Sequence, residues 1–150
     1  MKYFIIAASL MTLLILMMAV KNARTPQGLG VNEGQLAALP GTPNAVSSQT
    51  GDTEKRVDPF PFKGDIKETK RMIKQALQDY GNIEIEAETD SYIHAVSTTR
   101  KMKYHDDLEF YFDEKDQVVH FRSASRVGKS DLGLNSDRYN HLMESYKQQQ

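Results

Sequence analysis

The chain has 150 residues, with 19 Lys and Arg against 20 Asp and Glu, and it contains no cysteine. This length suits one domain of ordinary size. A formal net charge of -1 argues against a strongly basic nucleic-acid-binding protein. Without cysteine, a disulfide scaffold, thiolate metal ligation, a cysteine nucleophile and a lipid-modified N-terminal cysteine are all excluded.

An apolar segment from Tyr3 to Val20 contains no charge, proline or glycine. As a helix it would be about 27 Å long, close to the roughly 30 Å hydrocarbon core of a bilayer. Residues 1–24 are therefore predicted to contain a transmembrane helix that acts as an uncleaved anchor. A cleaved signal peptide is the alternative, although cleavage after Ala19 would place the bulky Met17 where a small residue is preferred.

The charges flanking this segment do not set its orientation, because Lys2 and the N-terminal amine balance Lys21 and Arg24. The usual arrangement, with the N-terminus inside, places the rest of the chain in the periplasm, held at the inner membrane or released there after cleavage. Removing the three basic residues before residue 25 leaves that part with a charge of -4. Such a charge disfavours its docking onto an anionic membrane surface.

The rest of the chain divides into a short linker and one exported domain. Residues 25–35 are rich in Gly, Pro and polar residues and predict a flexible tether, and residues 36–150 form the domain. Residues 36–52 read as a loop on its surface. Pro59 and Pro61 exclude a central strand at 57–62, since proline cannot donate to a sheet.

The elements after residue 62 predict an α+β domain. Asp65 and Glu68 form a capping box for a helix over 66–80, and Ile83–Glu88 then alternates as a strand. Three further strands follow, at Tyr92 to about Lys103, around 108–112 and around 119–121, and then a final helix capped by Asn135 or Ser136. This order indicates a four-stranded antiparallel meander with helices packed on one face.

The last predicted hairpin has a definite register. Pairing Phe112 with Val119 and Phe110 with Phe121 keeps the apolar side chains on one face. Glu109 then lies opposite Arg122 as a cross-strand ion pair on the other face. The same register places Asp106 opposite Ser125, so the inward face becomes polar at this end.

Two stretches resemble a large bacterial family known only as domain of unknown function 1499. Leu39–Gln49, with its Pro-Asn-Ala-Val-Ser-Ser-Gln run, is similar to the family's L-x-P-C-P-x-x-P-N-C-V-S-S-Q opening. Asp106–Phe110 and Arg122–Asn135 are similar to its D-D-[VL]-E-F and R-S-A-S-R-x-G-x-S-D-x-G-x-N signatures. The resemblance covers about Leu36 to Met143. It implies an envelope-associated protein of uncharacterised activity, and Ala45 stands where the family usually has cysteine.

Polar residues of these two stretches form the candidate ligand-binding site. Arginine suits carboxylate or phosphate ligands, and the N-terminus of the last helix adds partial positive charge. The alternative is that the arginines pair with the aspartates and the cluster only fixes the loops. The candidate residues are Asn44, Ser47, Ser48, Asp106, Asp107, Ser123, Ser125, Arg126, Ser130, Asp131, Asn135 and Arg138.

Catalysis and metal binding have less support in the sequence. A hydrolase would need a base beside Ser123, Ser125 or Ser130, and no elbow or triad motif is present. On a strand, Asp106 and Asp107 point to opposite faces and do not suit a shared acid–base task. The four histidines lack metal-ligand spacing, so no metal and no cofactor is predicted.

These observations favour a membrane-anchored periplasmic domain that binds an envelope protein or a small anionic ligand without catalysis. The ligand surface is predicted where the Arg126–Asn135 loop meets the Pro43–Gln49 loop, since binding groups concentrate in loops. Two alternatives remain open. One is an envelope hydrolase that uses Ser125 or Ser130, with Arg126 holding an anionic substrate. The other is a structural adaptor of a membrane complex that makes its contacts through the Tyr3–Val20 helix.

Overall fold

The structure, a computed structural model, describes residues 1–130 and 132–149. The described part has three helices and eight strands. In chain order these are α1 (Lys2–Ala23), β1 (Val31–Asn32), β2 (Gln35–Leu36), β3 (Ala45–Ser47), β4 (Phe60–Pro61), α2 (Ile66–Tyr80), β5 (Ile83–Glu88), β6 (Tyr92–Thr98), β7 (His105–Asp113), β8 (Val118–Ser125) and α3 (Leu134–Gln148). The α+β class predicted from the sequence is confirmed.

Helix α1 is the predicted apolar segment at the N-terminus. It is 22 residues long, and none of its residues is buried against the rest of the chain. Its length and hydropathy are those of a helix that crosses a membrane, a property that signal sequences share. The chain therefore has an N-terminal apolar helix of the kind found in membrane anchors and in signal sequences.

The main sheet has six strands, not the four predicted. Strands β5 to β8 pair antiparallel in chain order, and both β3 and β4 pair antiparallel with the outer edge of β8. The sequence predicted only loop at β3, because its three residues are flanked by proline, glycine and small polar residues. They form a strand because β8 offers them an unpaired edge.

The predicted register of the β7–β8 hairpin is confirmed at every position. Phe112 lies opposite Val119, Phe110 opposite Phe121, and Asp106 opposite Ser125. The apolar face of the hairpin packs under α2 and α3, which lie together on one face of the sheet. Phe60 of β4 is fully buried there, within 6.0 Å of four aromatic ring centroids.

The two helices on the sheet begin differently. The carboxylate of Asp65 caps α2 as predicted, accepting a hydrogen bond from the Glu68 backbone at 2.8 Å. Helix α3 begins at Leu134 after Gly133, whose φ of 84° is left-handed, so the predicted cap at Asn135 or Ser136 is wrong. Asn135 does not cap because its side chain is bonded within a buried polar cluster.

The other face of the sheet is covered by the chain that follows α1. Residues 31–36 form the β1–β2 hairpin, and Gly30 donates its backbone N–H to Glu109 at 2.7 Å. The end of α1 is held in place too, because the side chain of Asn22 bonds the backbone of Lys103 and of His105. The segment predicted to be a flexible tether is thus hydrogen-bonded to the domain in this structure. It covers Glu109 and Arg122, which an open sheet face would leave in water.

Candidate functional site

A buried ion pair lies between the sheet and α3. Arg138 donates through Nη2 to Asp106 Oδ2 at 2.5 Å, and both side chains are almost wholly buried. Arg138 also donates through Nη1 to Asn135 Oδ1 at 2.8 Å and to Ser123 Oγ at 3.3 Å. The pair thus joins the first turn of α3 to the ends of β7 and β8.

Asn135 connects this pair to the first polar stretch. Its Nδ2 donates to the backbone oxygen of Asn44 at 3.1 Å and to Ser125 Oγ at 3.0 Å, and its Oδ1 accepts from Ser123. Asn44 in turn donates to the carbonyls of Val127 and Gly128, at 3.4 and 3.3 Å. We call Asn44, Asp106, Ser123, Ser125, Asn135 and Arg138 the front cluster. The two polar stretches of the sequence therefore meet.

The neighbouring carboxylate belongs to a second cluster on the opposite face of the sheet. Asp107 accepts from Nε and Nη2 of Arg126 at 2.9 and 2.7 Å, and its Oδ1 lies 2.8 Å from His94 Nε2. Burial alone would raise the pKa of Asp107. The hydrogen bonds from His94 and Arg126 outweigh burial and lower that pKa below its ordinary value. Asp107 is thus held as a carboxylate.

A second ion pair, between Glu109 and Arg122, lies further along the same strands. Together with Tyr92 it joins His94, Asp107 and Arg126 in what we call the back cluster. Glu109, which is fully buried, accepts from Arg122 Nη1 at 2.9 Å and from the Tyr92 hydroxyl at 2.7 Å. Burial and the hydrogen bond to Glu109 raise the pKa of Tyr92. With the Gly30 N–H, three donors surround one carboxylate. The Gly30 N–H, together with the bond from Arg122 Nη2 to the Ala38 carbonyl at 3.4 Å, holds the segment after α1 on the sheet.

Ser47 and Ser48 belong to neither cluster and lie beside β8. Ser47 pairs with Arg122 in the β3–β8 ladder, and Ser48 Oγ accepts from the Phe121 backbone at 2.9 Å. Ser48 Oγ also lies 3.3 Å from His120 Nδ1, a contact that the sequence did not predict because the pairing of β3, which ends just before Ser48, with β8 was not predicted. Burial lowers the pKa of His120, and its Nε2 is 4.0 Å from Asp113, too far for a hydrogen bond.

The serines named for a hydrolase have other partners. Ser125 Oγ accepts from Asn135, and Ser130 Oγ accepts from the Leu132 backbone at 3.2 Å. Within the described residues, no histidine is hydrogen-bonded to Ser123, Ser125 or Ser130. A hydrolase requires such a nucleophile–base contact, directly or through one water. The geometry of these serines gives the hydrolase hypothesis no support.

Two adjoining cavities open beside the front cluster, at the end of the sheet where β6 turns into β7. The larger, of about 460 Å³, lies between residues 99–104 and residues 125–134. The smaller, of about 280 Å³, is bounded by Tyr80, Asn82 and Arg138. Thr99, Arg100 and Leu134 line both, and we call the two cavities together the sheet-end groove.

The predicted site residues divide among these places. Six of them form the front cluster. Three of these six, Asp106, Ser125 and Arg138, line the sheet-end groove, and so does Ser130. Asp107 and Arg126 lie on the back of the sheet, and Ser47 and Ser48 lie along β8. Asp131 is outside the described residues. Sequence reasoning missed Arg100, Lys101 and Met102, which line the groove because β6 ends at Thr98 and not near Lys103.

Comparison with family models gives a match over residues 35–145, to a family described as "Protein of unknown function (DUF1499)". The chain belongs to the DUF1499 family. The match confirms the resemblance read from the two motifs, and it leaves α1 outside. No curated protein and no solved structure gave a match. The family's description names no activity.

Proposed function

We propose that this DUF1499 protein is a membrane-anchored, non-catalytic binding domain that faces the periplasm and holds an anionic envelope component in the sheet-end groove. The observation that carries the proposal is the position of the groove. It lies directly against the front cluster, where the second polar stretch of the sequence meets a basic turn at Arg100 and Lys101. The Pro43–Gln49 loop, which the sequence placed on the ligand surface, does not line the groove. The front cluster serves as the rigid wall of the site.

The lining of the groove favours an anionic ligand with an apolar part. Arg100 and Lys101 are exposed on one wall, and neither has a carboxylate within 4 Å among the described residues. Met102 and Leu132 lie at the same cavity with 63% and 94% of their surfaces exposed. A ligand that carries both an anionic group and an apolar part would contact these cations and apolar side chains together.

The back wall has unfilled donor capacity. Arg138 is 1% exposed, and its buried Nε–H has no acceptor among the described residues. A buried guanidinium donor left without an acceptor is unfavourable by about 1–3 kcal/mol. An acceptor oxygen brought into the smaller cavity by a ligand would relieve this cost after a small side-chain shift. Such an acceptor fits the anionic ligand that the wall cations favour.

The test is site-specific photocrosslinking in the full-length protein within its own membrane. A photoreactive residue at Met102 is expected to form one discrete adduct, and the same residue at Lys115, at the opposite end of the sheet, is not. Arg100→Glu with Lys101→Glu should abolish the adduct, because both cations of the wall become repulsive to an anion. Equal adducts at both positions, or an adduct that survives the charge reversal, would refute the groove as the binding site.

A further inference from the structure

A separate cavity lies where α1 meets the domain, and its lining combines apolar and cationic side chains. It has a volume of about 480 Å³. Met17, Val20, Lys21 and Arg24 line it from α1 and its cap, and Arg126 lines it from the sheet. The spacing of 17, 20, 21 and 24 places these residues on one face of a helix. That face changes from apolar to basic at the helix end.

The helix end is fixed relative to the sheet, so the cavity is built by the fold. The carbonyl of Asn22 accepts from Arg126 Nη1 at 3.2 Å, and His105 Nδ1 lies 3.0 Å from the same carbonyl. The side chain of Asn22 bonds both Lys103 and His105. These contacts hold Arg126 beside the last turn of α1.

The cations of this cavity are not neutralised equally. Arg126 is paired with Asp107, whereas no carboxylate of the described residues lies within 4 Å of Lys21 or Arg24. If α1 crosses the bilayer, Lys21 and Arg24 stand at the level of the lipid phosphates, and Met17 and Val20 stand just inside the hydrocarbon. A phospholipid with an anionic headgroup presents the matching order of groups, with its negative charge at the level of the cations and its acyl chains at the level of the apolar side chains.

We propose that this cavity binds one anionic phospholipid of the surrounding bilayer. The phosphate lies against Lys21 and Arg24, and the upper part of an acyl chain lies against Met17 and Val20. The lipid fills the space between α1 and the sheet and so fixes the domain, with its sheet-end groove, at a constant height above the membrane. This inference rests on the anchoring role proposed for α1.

Native mass spectrometry of the full chain tests it. The protein is equilibrated in detergent with equal amounts of phosphatidylglycerol and phosphatidylcholine. We expect one retained lipid, with phosphatidylglycerol preferred about tenfold or more, since both Lys21 and Arg24 attract an anionic headgroup. Lys21→Gln with Arg24→Gln should remove the preference. Val20→Trp, which fills the apolar part, should reduce retention of both lipids.

The matched control is Lys2→Gln with Lys67→Gln, which removes the same charge at the other end of α1 and on an exposed face of α2. It should leave the preference unchanged. An equal loss in the control, or a preference that persists without Lys21 and Arg24, overturns the lipid site. Extraction of the mature protein by an alkaline carbonate wash would instead overturn the anchor. A protein that stays in the membrane but retains no lipid overturns the lipid site alone.

Discussion

Asp106 and Asp107 are neighbours in the chain, yet each pairs with a different arginine on a different face of the sheet. Asp106 meets Arg138 of α3 at 2.5 Å, and Asp107 meets Arg126 at 2.7 Å. Because successive side chains of a strand alternate, one Asp-Asp motif serves two layers of the fold. The first pair fastens the helices to the sheet. The second lies where the sheet meets the end of α1.

Removal of Arg138 should be strongly destabilising. Arg138→Met leaves Asp106 as an unpaired charge in a buried position, which costs about 3–5 kcal/mol of the free energy of unfolding. Asp106→Asn combined with Arg138→Met should recover part of this loss. Urea unfolding, monitored by the near-ultraviolet circular dichroism of the tyrosines, measures the free energy of unfolding of the single and the double variant. The control is Arg71→Met, whose exposed partner Glu68 stays in water, and it should leave the midpoint unchanged. Equal effects of the two arginines would contradict the assigned role of Arg138.

The Asp107 pair predicts a particular dependence of stability on pH. Since the folded state lowers the pKa of Asp107, its charge stabilises the fold above the unfolded pKa of about 3.9, and this contribution is lost as the pH falls through and below that value. The stability difference between wild type and Asp107→Asn should be full at neutral pH and shrink in acid. Urea unfolding of both proteins at a series of pH values measures it. The exposed Asp90→Asn should match wild type at each pH, and a constant difference for Asp107→Asn would exclude the mechanism.

Two serines of one motif should respond differently to the same change. Ser123 is fully buried between Asn135 and Arg138, so Ser123→Ala should cost about 1–3 kcal/mol of the free energy of unfolding by leaving buried groups unsatisfied. Ser130 is exposed, and Ser130→Ala should have no measurable effect on stability. Thermal unfolding of the two variants side by side gives the comparison. A larger effect at Ser130 would mean that the front cluster does not stabilise this end of the sheet.

The sequence predicted those parts of the fold that local pattern determines. The register of β7 on β8 follows from the alternation of Phe110, Phe112, Val119 and Phe121, and the start of α2 follows from Asp65 with Glu68. The opposite faces of Asp106 and Asp107 follow from strand geometry. Each of these features depends on neighbours within one element or one hairpin.

Features set by distant contacts were not predictable in the same way. The three residues of β3 have no strand pattern of their own and form one only against the free edge of β8. The segment after α1 is polar enough to read as a tether, and its docking depends on Glu109, about 80 positions away in the chain. Whether Asn135 caps α3 or bonds to Asn44 depends likewise on where β3 lies. Whether Arg126 and Arg138 pair with aspartates or face a ligand depends on distant contacts in the same way.

Both proposals require that α1 span the membrane, the proposed function also requires that the domain lie outside the cytoplasm, and thiol labelling tests this most directly. The chain has no cysteine, so a single cysteine at the exposed Lys115 or at Lys2 reports its side of the membrane without background. In spheroplasts, a membrane-impermeant maleimide should label Lys115→Cys at once and Lys2→Cys only after lysis. Protection of Lys115→Cys until lysis would place the domain in the cytoplasm and contradict the proposed function.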